Sequence, residues 1–157
     1  MRRKDKEITD LKEINKIIMQ ADFCNLAMSK DNVPYVVPMN FGYHENCIYL
    51  HSADKGLKID ILKKNPNVCI GIVHNARVEK LSDVCKTTMK YKSVIIFGKA
   101  ELLSDNFEKG KALEVIVSHY YGNTSDFKER ELNFNQSALE KLIILKVKIE
   151  KLSCKKV

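Results

Sequence analysis

Apolar and polar positions change period twice along this chain, and the changes mark out its elements. Leu11, Ile14, Ile17 and Ile18 recur at helical spacing behind Asp10 and Glu13, a capping-box pair, and predict a first helix ending near Ala21-Asp22. From Cys24 the pattern becomes short strand-like runs separated by turn residues. These runs cover residues 24–29, 33–43 and 47–51, with turns at Lys30-Asp31-Asn32 and His44-Glu45-Asn46. A polar loop over 52–56 leads to a short helix over 57–64, which Asn65-Pro66-Asn67 stops. Residues 68–74 form a further strand, while 75–89 read as an extended connection or a weak strand. Residues 91–103 make one long strand with Gly98 inside it, a predicted bulge or kink. Asp105 and Glu108 repeat the cap before a helix whose apolar stripe is Phe107, Leu113, Ile116, Val117 and Tyr120, ending at Gly122. Residues 123–136 are polar and irregular. In the last strand Ile143, Leu145, Val147 and Ile149 alternate with Lys146, Lys148 and Glu150, giving one buried and one wet face.

Six strands in largely meander order, with helices before, within and near the end, predict a mainly β chain closed as an antiparallel barrel. At 157 residues the expectation is one domain, 1–157, large enough to bury a core without metal or disulfide staples. No run of about 18 apolar residues predicts a membrane span. The charged N-terminus, MRRKDK, lacks the apolar segment of a signal peptide, so a cytoplasmic location is expected. The five cysteines stand singly, without a C-x-x-C pair, which argues against zinc and thioredoxin-like chemistry. Cys24, Cys47 and Cys69 fall on strands, where a reduced thiol acts as a small hydrophobe.

The net charge of +7 raises the question of nucleic acid, but the 27 Lys and Arg are dispersed and no aromatic-basic interleaving accompanies them. A basic surface that favours an anionic small molecule is the better reading, with no nucleic acid or membrane as partner. The block PYVVPMNFGYHENCIYLHSADKGLKIDILKKNPNV concentrates the features that suit a phosphate. A helix start offers unpaired N–H groups and a positive dipole end, Ser52 carries a hydroxyl, and Lys55 or Lys58 supplies charge. On those features alone, an ordinary strand-loop-helix connection with surface lysines is the better reading, because such loops are common.

The order of strand, tight turn, strand, basic loop, short helix, then N-P-x-V and a further strand resembles the pyridoxamine 5'-phosphate oxidase-like family of FMN-binding split barrels. MRRKDKEI, PYVVPMNFGY, IYLHSADKGLK and YKSVIIFGKAELL together resemble its nitroimidazole-reductase (nitroimidazole-resistance) branch, over nearly the whole chain. The resemblance implies a six-stranded antiparallel split β-barrel with flanking helices. It implies FMN as cofactor, with Pro38, Met39 and Asn40 on the flavin-contacting strand. His51 and Ser52 fall beside the ribityl-phosphate, Lys58 on the phosphate-binding lysine, and Ser93 across the site. Leu57 stands where the pyridoxamine-phosphate enzymes carry an arginine, and their arginine-rich C-terminal substrate motif has no counterpart here, which argues against the vitamin B6 reaction.

By the same resemblance the chain is an oxidoreductase that reduces a small acceptor such as a nitroaromatic, working as a homodimer with the cofactor at the interface. His51 is the candidate catalytic residue: an imidazole there is suited to hydrogen-bonding a ligand, relaying a proton near neutral pH, or ligating haem. The rival readings are a haem-binding or haem-handling protein on the same barrel and a non-catalytic flavin-binding module. His44, His74 and His119 read as surface or core histidines, Tyr35 and Tyr91 as strand aromatics within reach of a cofactor, and Cys85 carries no assigned role.

Overall fold

A computed structural model describes residues 3–122, 134 and 136–157. In chain order its elements are β1 (Glu7–Ile8), α1 (Leu11–Met19), β2 (Cys24–Lys30), β3 (Val33–Met39), β4 (Gly42–His44), β5 (Cys47–Ser52), α2 (Leu57–Lys64), β6 (Asn67–Glu79), β7 (Thr88–Leu103), α3 (Asn106–Tyr121), α4 (Gln136–Lys141) and β8 (Ile143–Lys156). The strands pair antiparallel in the order β3-β2-β6-β7-β8-β5-β4, with β1 added to β8. Because β3 runs on into β4 through Asn40-Phe41, the two ends of that order meet and the sheet curls into a barrel.

Eight strands therefore stand where six were expected. One extra strand comes from residues 33–43, which divide into β3 and β4. The break has a local cause: Phe41 is fully buried, and its backbone N–H donates to the Tyr120 hydroxyl at 3.0 Å rather than to a neighbouring strand. The other, β1, is two residues long and too short to show a period. The ambiguous stretch, 75–89, is strand only at its two ends. β6 continues to Glu79 and β7 begins at Thr88, with a register shift between His74 and Arg77 and a 3-10 turn at Val84–Lys86. The irregular stretch expected at 123–136 lies outside the described residues except for Phe134 and for Gln136, where α4 begins.

The caps were legible, with one correction. Asp10 accepts from the Lys12 N–H at 2.9 Å and Asp105 from the Glu108 N–H at 2.9 Å. Glu13 does not close a capping box; it accepts from Lys92 on β7 at 2.8 Å and so ties α1 to the sheet. Ile14, Ile17 and Ile18 of α1 are buried against the barrel core, each contributing roughly 1.5–3 kcal/mol by leaving water. That core is built from the inward residues of the strands, among them Leu26, Ile48, Leu50, Ile70, Ile96 and Leu145. A second cluster of Leu103, Ala112, Ile116 and Ile144 seals α3 to the outside of the barrel. All five cysteines are free; burial pushes the Cys24 thiol up to about 12, while Cys85 is exposed. Among the described residues no helix is long and apolar enough to cross a membrane.

Gly98 marks the bend that the sequence predicts, but the extra residue lies on the partner strand. Phe97 pairs with Lys151 and Gly98 with Ile149, so Glu150 is the bulged residue. The bulge brings the β8 backbone so close that a Cβ on Gly98 would run into the Lys148 carbonyl oxygen. Gly71, also in the sheet, has only the tip of Ile95 near, at 3.8 Å. Gly98→Ala should therefore cost about 1–3 kcal/mol of stability as overpacking against rigid backbone, and Gly71→Ala less than about 1 kcal/mol, read from urea unfolding midpoints at constant m.

Candidate functional site

The end of β3, the end of β5 and the start of α2 converge at one mouth of the barrel. Tyr35, Val37 and Met39 point inward along β3, so Pro38 points outward, and Asn40 is an exposed residue just beyond the strand. Gly42 pairs with Tyr49, which sets Asn40, two residues back, and His51, two residues on, at the same end of the β4–β5 hairpin. Successive residues of β5 face opposite sides. Ser52 is buried, lies opposite Ile143 and donates its hydroxyl to the Ala53 carbonyl at 3.0 Å. His51 is exposed on the outer face, opposite Ile144.

Lys58, in the first turn of α2, is half-buried and approaches Met39, with Nζ 3.6 Å from the thioether sulfur. A thioether is a weak acceptor and brings no countercharge. Among the described residues no carboxylate pairs with this ammonium, and desolvation alone lowers its pKa below the ordinary lysine value. The preceding loop is shaped to leave the helix start open. Gly56 is the N-cap with φ of 121°, a left-handed region where glycine is favoured, and no side chain caps the first amides of α2. Nothing lies within 4 Å of where a Gly56 Cβ would be. The result is a half-desolvated cation beside uncapped helix amides, a combination that suits an anion.

Six of the seven site residues read from sequence meet at this mouth: Pro38, Met39, Asn40, His51, Ser52 and Lys58. Ser93 does not. It is buried in β7, opposite Val73 and Lys155, and β7 lies three strands from β3 across β2 and β6, about 14 Å at ordinary strand spacing. The outward face joins the two places. Pro38 lies opposite Asn25, Asn25 opposite Gly71 and Gly71 opposite Ile95, and Ser93 follows two residues before Ile95 on the same side.

Two residues that shape the mouth were read from sequence only as part of a helix stripe, Tyr120, and as a surface or core histidine, His119. Tyr120, near the end of α3, accepts from the Phe41 N–H and donates to the Asp22 carbonyl at 2.9 Å. His119 donates from Nε2 to the Ala21 carbonyl at 2.8 Å and packs its ring on Phe41, centroids 4.4 Å apart. Together they hold the Asn40-Phe41 turn from a position about eighty residues away in sequence, a separation no local pattern reveals. Among the described residues no grouping of His, Cys, Asp and Glu could hold a metal ion.

The model of the pyridoxamine 5'-phosphate oxidase family matches residues 10–156. The chain belongs to that family. Within it, the chain falls in the nitroimidazole-resistance branch. A crystal structure of a candidate 5-nitroimidazole antibiotic resistance protein from Bacteroides thetaiotaomicron is 34% identical, covering 96% of this chain and 86% of that one, with a TM-score of 0.81. An FAD-binding protein from Mesorhizobium loti is 25% identical, covering 94% and 95%, with a TM-score of 0.65. An FAD and haem binding protein from Mycobacterium smegmatis shares the fold alone, at 16% identity and a TM-score of 0.84 over 96% of this chain and 73% of that one. The chain spans about half the length of a curated relative, an uncharacterized protein of Rhizobium meliloti, at 29% identity over 91 residues.

Tyr120→Phe removes the acceptor of a buried amide and should destabilise the family fold by about 1–3 kcal/mol, while His44→Ala, at an exposed turn, should change stability by less than about 0.5 kcal/mol. Thermal unfolding of the two variants side by side checks this.

Proposed function

We propose that this chain is an FMN-dependent oxidoreductase that reduces a small acceptor of the nitroaromatic class. The observation that carries the reading is the Lys58 ammonium, half-buried without a countercharge beside the open start of α2. A phosphate would supply the missing anion, and a charge-assisted hydrogen bond of this kind contributes roughly 1.5–3 kcal/mol. Among relatives of comparable length, the Mesorhizobium loti protein binds FAD and the Bacteroides thetaiotaomicron one is associated with nitroimidazole resistance, which supports a flavin and this acceptor class.

When bound, the flavin supplies the electron transfer. The protein's part is to hold, cover and protonate. Lys58 and the first amides of α2 hold the phosphate, and Ser52 stiffens the end of β5 beside it. Pro38 and Ser93 bound an outward sheet face that would take a planar ring system. Leu57 leaves one cation fewer than the pyridoxamine-phosphate enzymes have, so phosphate binding rests more heavily on Lys58. His51, exposed at the same mouth, is the group suited to deliver a proton to the reduced acceptor.

A second copy of this chain covers that face in the proposed assembly. Val36 (59% exposed), Val73 (49%), Phe97 (47%) and Ile95 (36%) give the outward face around Pro38 and Ser93 a largely apolar surface, with Asn25 in its middle. A patch of this kind marks an association site, and two-fold pairing is the commonest way to bury it. Sedimentation should give a dimer at micromolar concentration, and Phe97→Lys should shift it toward monomer; a wild-type monomer of 18.0 kDa contradicts the assembly.

FMN titration tests the cofactor site. Lys58→Ala should weaken binding about tenfold to a hundredfold, while Lys63→Ala and Lys64→Ala, which remove the same charge from exposed positions of α2, should change it little. Since desolvation lowers the Lys58 pKa, its proton is lost at lower pH than that of a surface lysine, and the proton is what binds phosphate. FMN affinity should therefore fall on the alkaline side, starting below the ordinary lysine pKa of about 10.4, and the Lys58→Ala protein should lack that fall. Equal losses for all three lysines, or an absorption spectrum of haem rather than flavin in the purified protein, would overturn the reading.

His51→Ala should leave folding and most of the FMN affinity in place and lower nitro-compound turnover about a hundredfold. Full turnover at equal flavin occupancy removes His51 as proton donor.

A further inference from the structure

Beyond Ser93 the sheet changes character. Tyr91 and Lys90–Lys92 of β7, the irregular turn of β6 at Asn75–Arg77 and Lys156 at the end of β8 surround a cavity of about 740 Å³, within the range of ligand sites. Four cations line it: Arg77, Lys90, Lys92 and Lys156. Two carboxylates oppose them. Lys90 pairs with Glu79 at 3.2 Å and Lys92 with Glu13 at 2.8 Å, and the Lys156 charge also helps to lower the Glu13 pKa. Arg77 has no side-chain carboxylate partner among the described residues, and the charged side chains alone balance to two positive charges in excess.

The backbone around this cavity is irregular in a particular way. The β6–β7 ladder breaks between His74 and Arg77, and Asn75 takes a φ of 54°, the left-handed region that costs a non-glycine residue about 1–3 kcal/mol. The irregularity opens the cavity beside Tyr91, whose ring turns to the other face of β7, with Lys155 Nζ 5.0 Å from its centroid. The cavity thus offers the Arg77 guanidinium and the Lys156 ammonium, neither in a side-chain ion pair among the described residues, the combination that receives a diphosphate.

We infer that this cavity binds the diphosphate of a nucleotide carried by a molecule other than the flavin. The inference rests on the flavin reading only for that last clause. With the flavin phosphate at Lys58, the adenylate of an FAD would extend from the Lys58 end, three strands away from β7. The lysines of the cavity lie on the other face of β7 from Ser93, the face of Val94, where Lys92 meets Glu13 of α1. A nucleotide held there is an effector or a second molecule, separated by the sheet from the face proposed for the flavin.

ADP is the probe, titrated by calorimetry into the full chain at low ionic strength. Binding should weaken about tenfold in Arg77→Gln and in Lys156→Gln, and remain within about twofold of wild type in Lys58→Ala and Lys63→Gln. FMN affinity should be unchanged in the Arg77 and Lys156 variants. Equal weakening in Lys63→Gln reduces the effect to general surface charge, and loss in Lys58→Ala places ADP at the flavin site; either result, or no ADP binding to the wild-type protein, overturns the inference. Saturation with FMN should leave ADP binding intact. If FAD abolishes it while FMN does not, the cavity serves the flavin's own diphosphate and the separate-molecule claim fails. Because ADP is titrated into flavin-free protein first, a failure of the flavin reading leaves this result readable.

Discussion

Two strands, β7 and β8, each have to serve two neighbours, and the barrel depends on how they bend together. One edge of β8 pairs with β7 from Ile144 to Lys156 and the other with β5 in its first half and the short β1 near its end, while β7 pairs with β6 from Thr88 to Lys99. Straight strands of this length would make an open sheet. The bulge at Glu150 and the absence of a side chain at Gly98 let the ribbon fold over, so that its other face receives α3 and its inner face receives Ile96, Leu145 and Val147. Asn46, in the β4–β5 turn, bonds both ways with Ile149 at that bend, which couples the hairpin carrying His51 and Ser52 to it. The mouth of the barrel therefore takes its shape from a backbone constraint well away from it.

At that mouth the electrostatics run against stability. Most charged side chains here sit at the surface, where pairs such as Lys86–Asp83 contribute little. Lys58 is different: it gives up part of its hydration for a thioether and helix packing, which disfavours its charged form. A folded state that keeps an uncompensated cation in this position is one in which an anion gains more than it would at an exposed lysine. The glycine cap and the uncapped amides work in the same direction, because they offer donors without competing acceptors.

The alternation of apolar residues made most strands legible, most clearly in β8, and the two aspartate caps were readable from spacing alone. What escaped was decided by contacts distant in sequence. Residues 33–43 read as one strand because nothing in their own pattern shows that Tyr120 captures the Phe41 amide. Glu13 reads as half of a capping box because Lys92, 79 residues later, cannot be placed beside it from sequence. The site divides in the same way. The residues from Pro38 to Lys58 are close in sequence and the fold gathers them, whereas Ser93 is related to them only through the order β3-β2-β6-β7. The +7 charge read as dispersed along the chain, yet the β6 turn and the end of β8 bring part of it together around one cavity.

The central claim is that the unpaired ammonium at the start of α2 is the anchor for a flavin phosphate. A crystal structure of the protein grown with FMN tests it most directly. The account predicts the phosphate within hydrogen-bond distance of Lys58 Nζ and of the first amides of α2, with the ring system over the outward face between Pro38 and Ser93. A phosphate bound elsewhere, with Lys58 still against Met39, would contradict it.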